Sequence, residues 1–207
     1  MTDDQMSTES RLRYDQYTAV AIALHWLIAI SILGLLITGT WMVDAIKVPD
    51  TQALAFETYQ FHKSLGLTVL VLTVVRLGWR LINRPPPLPE HMTRRARIGA
   101  HVAHCAFYIL MIGMPLSGWA MVSASPFGLP TIVFGWFEWP HIQFLAQSDN
   151  KIAIEARLKL AHLYAGYTFI ALIVLHVAAA LKHQFVDRDQ LLKRMLPIRL
   201  GRWSDEP

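Results

Sequence analysis

The stretch Lys159–Leu181, KLAHLYAGYTFIALIVLHVAAAL, decides the fold. From Leu160 to Leu181 it runs for twenty-two residues without Asp, Glu, Lys or Arg. At about 1.5 Å per residue that length crosses a hydrocarbon core of roughly 30 Å. It predicts a transmembrane helix. Two histidines sit inside it, His162 and His176, fourteen residues apart, which is about 21 Å of rise and within about 40° of four full turns. Both imidazoles therefore share one helix face at opposite depths. Ionisable side chains are expensive in lipid, so intramembrane histidines face the bundle interior and mark a pathway or a ligand. The plain alternative is two imidazoles hydrogen-bonded to neighbouring helices; the spacing favours two stacked cofactors.

The rest of the composition agrees with a membrane chain. Of 207 residues, 54 % are hydrophobic and 16 % charged, against roughly 25 % charged in a soluble domain. The single cysteine, Cys105, excludes an intrachain disulfide framework and a Cys-rich zinc or iron–sulfur site. The net charge of +4 comes from Lys and Arg that flank apolar runs, as topology signals do, which argues against nucleic acid as a partner. No short early apolar stretch with a small-residue cleavage site occurs, so the first apolar run is read as retained.

Four spans are expected, at about residues 17–43, 60–83, 98–122 and 160–185. They form one domain, 17–186, between a polar tail at 1–16 and a basic tail at 187–207. The first carries His25 near its start and Trp41 at its end. A short acidic loop, Asp44 to Tyr59, follows. The second span requires Lys63 to snorkel outward and Arg76 to have a partner, and it stops at RPPPLP, where three prolines forbid continuation. The third is free of charge and contains Pro115. Between the third and fourth, the run FGWFEWP with Trp136, Phe137 and Trp139 reads as an interfacial segment on the membrane surface, and Lys151 to Lys159 offers an early start to the last helix. Arg11, Arg13, Arg94, Arg95, Arg97, Lys193, Arg194, Arg199 and Arg202 place the N-terminus, the second loop and the C-terminus on the positive, cytoplasmic side. The fold class is thus all-α, an integral membrane four-helix bundle with both termini cytoplasmic.

That topology sets His62 level with His162 at the outer end, and His25 level with His176 at the inner end. Two facing imidazoles at one depth suit bis-histidine ligation of a haem iron, and two such pairs suit a stack of two haems across the membrane. The residue four after each candidate ligand is Ala29, Gly66, Gly166 or Ala180, leaving room on the same face for a porphyrin plane. Small residues also serve close helix packing, which is the competing explanation. Arg76, fourteen residues after His62, reaches the inner level. Uncompensated, it would cost about 2.5–3.5 kcal/mol, and a haem propionate would compensate it; snorkelling to the surface is the alternative. His101 and His104 on the third span compete for the inner level, while His91 and His141 are loop histidines. Lys63, Arg157 and Lys159 gather at the outer mouth, where they would attract a small anion.

The sequence resembles the prokaryotic cytochrome b561 family of di-haem membrane cytochromes. The motifs are LHW at His25, FHKSLG at His62, VVRLGWR, PPPLP and the AHLYAGYTFIALIVLHVAAALKHQF segment, and the likeness covers Tyr17 to Pro197. The resemblance implies His25, His62, His162 and His176 as axial ligands of the haem irons, with ubiquinone as a partner. For some members it also implies oxidation of superoxide at the outer face. It puts His183 near the quinone, with Gln184 standing where members carry a second histidine. Haem b, two per chain, is expected because no CxxCH motif is present.

These observations combine into a multi-pass protein of the bacterial inner membrane with the lipid bilayer, ubiquinone, and superoxide or a periplasmic redox protein as partners, acting as an oxidoreductase. Two other readings use the same residues. One is a cytochrome b anchor subunit for a separate dehydrogenase or periplasmic redox partner. The other is a histidine-lined metal or proton transporter, which would be colourless after gentle purification.

Overall fold

A computed structural model describes residues 16–89, 92–189 and 191–196. Arg11, Arg13, His91, Arg199 and Arg202, named above, lie outside the described residues. Helix α1 (Ala19–Ala45) begins where the Thr18 hydroxyl accepts from Ala21 N at 3.3 Å, an N-cap that satisfies one orphan donor. A tight turn and a 3-10 segment (Pro49–Thr51) lead into α2 (Gln52–Ile82). The three prolines after Arg84 end it. Helix α3 (Arg94–Ser123) is capped by the Thr93 hydroxyl and runs on through Pro115. A two-stranded hairpin follows, β1 (Thr131–Val133) antiparallel to β2 (Phe137–Trp139), then the short α4 (Gln143–Ala146). Helix α5 (Lys151–Lys182) passes into a π-type turn (His183–Asp187), and a 3-10 turn (Leu191–Met195) comes last.

Each of the four long helices is long and apolar enough to span a membrane, yet at most 11 % of the most apolar window in any of them is buried inside the protein. Ile37, Ile82 and Val174 point outward with most of their surface uncovered. Such a surface is unfavourable in water and ordinary in lipid. The chain is therefore a multi-pass membrane protein.

The helices pack as two antiparallel pairs, α1 with α2 and α3 with α5, joined through α2 against α3. Neither α1 nor α2 packs its backbone closely along α5, which leaves a seam between the pairs. The buried cluster of Ile28, Ile32, Val69, Met111 and Phe169 takes a residue or more from each long helix. The start of α1 and the finish of α5 share one end of the bundle, called here the terminal end. The hairpin covers the other.

Two helices begin ahead of their apolar spans. Helix α2 starts at Gln52, eight residues before 60, and α5 at Lys151, nine before 160. Both extra stems hold themselves together outside the apolar window: Ala55 is fully buried, and Glu155 pairs with Lys159 one turn on at 3.0 Å. The chain is mostly helical, as expected, with one short hairpin added. Its strands are β-branched and aromatic, and Phe134 and Gly135 take positive φ of 47° and 79° to turn the chain. The hairpin is docked onto α2 rather than lying free on the surface. Gln60 Nε2 and Lys63 Nζ donate to the Pro130 carbonyl at 3.0 and 2.8 Å, Gln60 Oε1 accepts from Ile132 N at 3.1 Å, and Ser64 Oγ accepts from Phe134 N at 3.0 Å. Lys63 therefore reaches into the loop instead of snorkelling away.

Ser64 is 1 % exposed, so Ser64→Ala strands the Phe134 amide. We expect a loss of about 1–3 kcal/mol confined to the hairpin. Amide exchange should accelerate across residues 131–139 while the helices keep their protection.

Candidate functional site

The histidines gather at two levels. At the hairpin end, His62 on α2 and His162 on α5 lie within electrostatic reach of each other across the seam. Each leans on the partner helix of its own pair. His62 Nδ1 is 3.1 Å from Thr38 Oγ1 on α1, and His162 Nδ1 is 2.8 Å from Ser117 Oγ on α3. Beside each hydroxyl stands a glycine that makes room for the ring. A Cβ on Gly39 would meet His62 Cε1 at 2.9 Å, and one on Gly118 would meet His162 Cε1 at 3.5 Å. The same hydroxyl–glycine dipeptide thus cradles both rings, once in each helix pair.

At the terminal end three rings meet. The His25 and His104 centroids lie 6.4 and 6.3 Å from that of His176, and the Phe107 centroid lies 5.2 Å from it with the two rings near perpendicular. His104 is thus as near to His176 as His25 is. The difference lies in the scaffold: His104 and His176 sit on the tightly packed α3–α5 pair, whereas His25 and His176 face one another across the seam. His101 is exposed and engages the Arg97 carbonyl at 2.7 Å through Nδ1.

The apolar cluster separates the two levels. Phe169 stands seven residues from His162 and seven from His176, about 10 Å of rise from each. Arg76 comes to the terminal end, in the electrostatic neighbourhood of His25, and donates from Nη1 to the Ala21 carbonyl at 3.0 Å. One of its five donors is used there. His183, in the π-type turn, puts Nδ1 2.7 Å from Asp189 Oδ2 and 3.0 Å from Asp187 Oδ2, at angles outside hydrogen-bonding geometry. Asp187 also pairs with Lys182 at 2.6 Å. Of the cations expected at the outer mouth, Lys63 is tied to Pro130, Lys159 to Glu155, and Arg157 is exposed.

Sequence reasoning missed Thr38, Gly39, Ser117 and Gly118. The recurrence of Thr-Gly on α1 and Ser-Gly on α3 was the available signal, but nothing in helical periodicity connects it to histidines on other helices. The gaps that were foreseen at Gly66 and Gly166 are present: a Cβ on Gly66 would meet nothing within 4 Å, and one on Gly166 only the Met114 methyl at 3.9 Å.

A family model described as prokaryotic cytochrome b561 matches residues 16–197. The chain is 35 % identical over 183 residues to cytochrome b561 homolog 2 of Escherichia coli K12, covering 88 % of this chain and 92 % of that protein. It is 29 % identical to the probable superoxide oxidase CybB of Yersinia pestis, covering 91 % and 99 %, and 28 % identical to cytochrome b562 of Cereibacter sphaeroides, covering 87 % and 94 %.

The residues present fit haem b, the cofactor that the family's description implies. Imidazole is a common iron ligand, and a metal–imidazole bond of about 2 Å on each side separates two ring centroids by about 6 Å, near the spacing of His25 and His176. At the hairpin end the glycine cradles leave each ring where a Cβ would crowd it. Gly39→Ala should therefore push His62 aside and lower the haem content, whereas Gly118→Ala, an ordinary contact, should be milder. Haem per chain by pyridine haemochrome measures both. Equal retention in the two variants would show that the cradle does not position the ligand.

Proposed function

This chain belongs to the prokaryotic cytochrome b561 family, and from that premise we propose that it is a di-haem b protein of the bacterial inner membrane that passes single electrons from superoxide at its outer face to ubiquinone at its inner face. Haem b, the cofactor the family name implies, supplies a one-electron ferric/ferrous couple when bound. The observation that carries the reading is the placement of two histidine pairs, His62 with His162 and His25 with His176, across the one seam that close helix packing leaves open. His25 rather than His104 partners His176, because a planar group between His104 and His176 would have to part α3 from α5.

The hairpin end is assigned to the outer face by the Lys and Arg distribution, which favours a cytoplasmic terminal end. There Lys63 and Arg157 offer positive charge to a small anion, and the name of the Yersinia pestis relative supports superoxide as that anion. Two superoxide ions each release one electron and leave as oxygen. Ubiquinone takes both electrons and two protons at the other end. Arg76 offers its remaining donors to a carboxylate beside His25. His183 and its two carboxylates, Asp187 and Asp189, form a chain of groups able to carry protons inward from water.

Two experiments test the reading. The purified protein should contain two low-spin haems per chain, and His176→Ala should lose the haem of the terminal end while the other remains; one haem or none in the native chain would overturn the pairing. His183→Ala should leave both haem spectra unchanged and slow reoxidation of the reduced protein by a short-chain ubiquinone. Unchanged reoxidation in that variant, with slowing by substitutions at the hairpin end, would put the quinone at the opposite face.

A further inference from the structure

The two histidine levels are built differently. At the hairpin end each hydroxyl has already committed its single proton. Thr38 Oγ1 donates to the Gly34 carbonyl at 2.7 Å, and Ser117 Oγ donates to the Met114 carbonyl at 2.8 Å. A carbonyl only accepts, so at each oxygen what remains for the neighbouring imidazole is a lone pair. His62 Nδ1 at 3.1 Å and His162 Nδ1 at 2.8 Å must then carry the proton, because two lone pairs facing each other at that distance would repel. In both rings this leaves Nε2 as the nitrogen with a free lone pair. At the terminal end no hydrogen bond to the ring of His25 or His176 occurs among the described residues.

We propose that Thr38 and Ser117 are positioning residues that hold His62 and His162 as Nδ1–H tautomers ligating through Nε2, and that their acceptor oxygens make the haem at the hairpin end the more easily oxidised of the two. The inference rests on the ligand reading above and goes beyond it. A ligand imidazole that donates its other N–H to an acceptor is the more basic ligand, and a more basic ligand favours ferric over ferrous iron. With both axial ligands so bonded at one level and neither at the other, an electron arriving at the hairpin end would move downhill toward the terminal end.

The test is a potentiometric titration of the haem-loaded protein with low-temperature electron paramagnetic resonance of the oxidised form. Thr38→Val keeps the shape and removes the acceptor; Ser117→Ala removes one atom; Thr38→Ser restores the hydroxyl. In Thr38→Val and Ser117→Ala the midpoint potential of one haem should rise, by a few-fold to about tenfold in the ferric/ferrous equilibrium, the worth of one neutral hydrogen bond. Its low-spin signal should shift, and the other haem should not change. Thr38→Ser should match the native protein. If Thr38→Val fails to hold the haem and Thr38→Ser holds it, the positioning role also stands. An unchanged potential in both deletions, or equal effects of Thr38→Val and Thr38→Ser, would overturn the proposal. So would a shift in the haem that His176→Ala removes. Loss of a haem in His62→Ala tests the ligand reading separately, so the two failures are distinguishable.

Discussion

Lipid offers no hydrogen bonds, so the polar groups that α1, α2, α3 and α5 carry into the bilayer find partners inside the protein, with the buried Thr73 hydroxyl an exception. The helices meet this first through themselves. Ser31, Thr38, Thr40, Thr68, Ser117 and Thr168 all donate to a backbone carbonyl three or four residues earlier in their own helix. A hydroxyl satisfied in this way keeps a lone pair that still needs use, and Thr38 and Ser117 point theirs at an imidazole. The histidines are thereby part of the same accounting as the backbone. Arg76, whose charge could not be left bare, ends on the Ala21 carbonyl by the same logic.

The packing has an internal symmetry that serves the site. In the α1–α2 pair a histidine on the second helix is cradled by a hydroxyl and a glycine on the first, and the α3–α5 pair repeats the device. Within a pair the helices close tightly enough for a glycine to matter; between pairs they do not. A planar cofactor needs both conditions, rigid walls that hold ligands and a gap that does not close. Aromatic packing finishes the arrangement, with Phe107 edge-on to both His176 and Phe169 at 5.2 and 5.9 Å.

Much of this was legible in the chain and some was not, for reasons that separate cleanly. The fourteen-residue spacing of His162 and His176 converts directly into face and depth because an α-helix has fixed rise and twist. The family likeness rested on whole motifs and agrees with the matched model. The helix start at Gln52 escaped notice because hydropathy reports where lipid begins, whereas a helix ends where its hydrogen bonds do; the start at Lys151 matches the early start the sequence offered. The hairpin was read as an interfacial segment since its aromatic residues carry that signal, and its anchoring through Gln60, Lys63 and Ser64 depends on residues some seventy positions away. The hydroxyl–glycine cradles are likewise tertiary, since each acts on a ring from another helix.

The buried cluster around Phe169 contains no ionisable group, so it is the layer across which the electrical potential of a polarised membrane would fall most steeply. Moving one elementary charge through the whole potential exchanges about 2.3 kcal/mol per 100 mV. An electron sent from the hairpin end to the terminal end would climb against an inside-negative voltage, and the same path run backward would be driven by it. On the proposed direction of electron flow, turnover would be slower in a cell whose membrane is fully energised than in one whose membrane has run down.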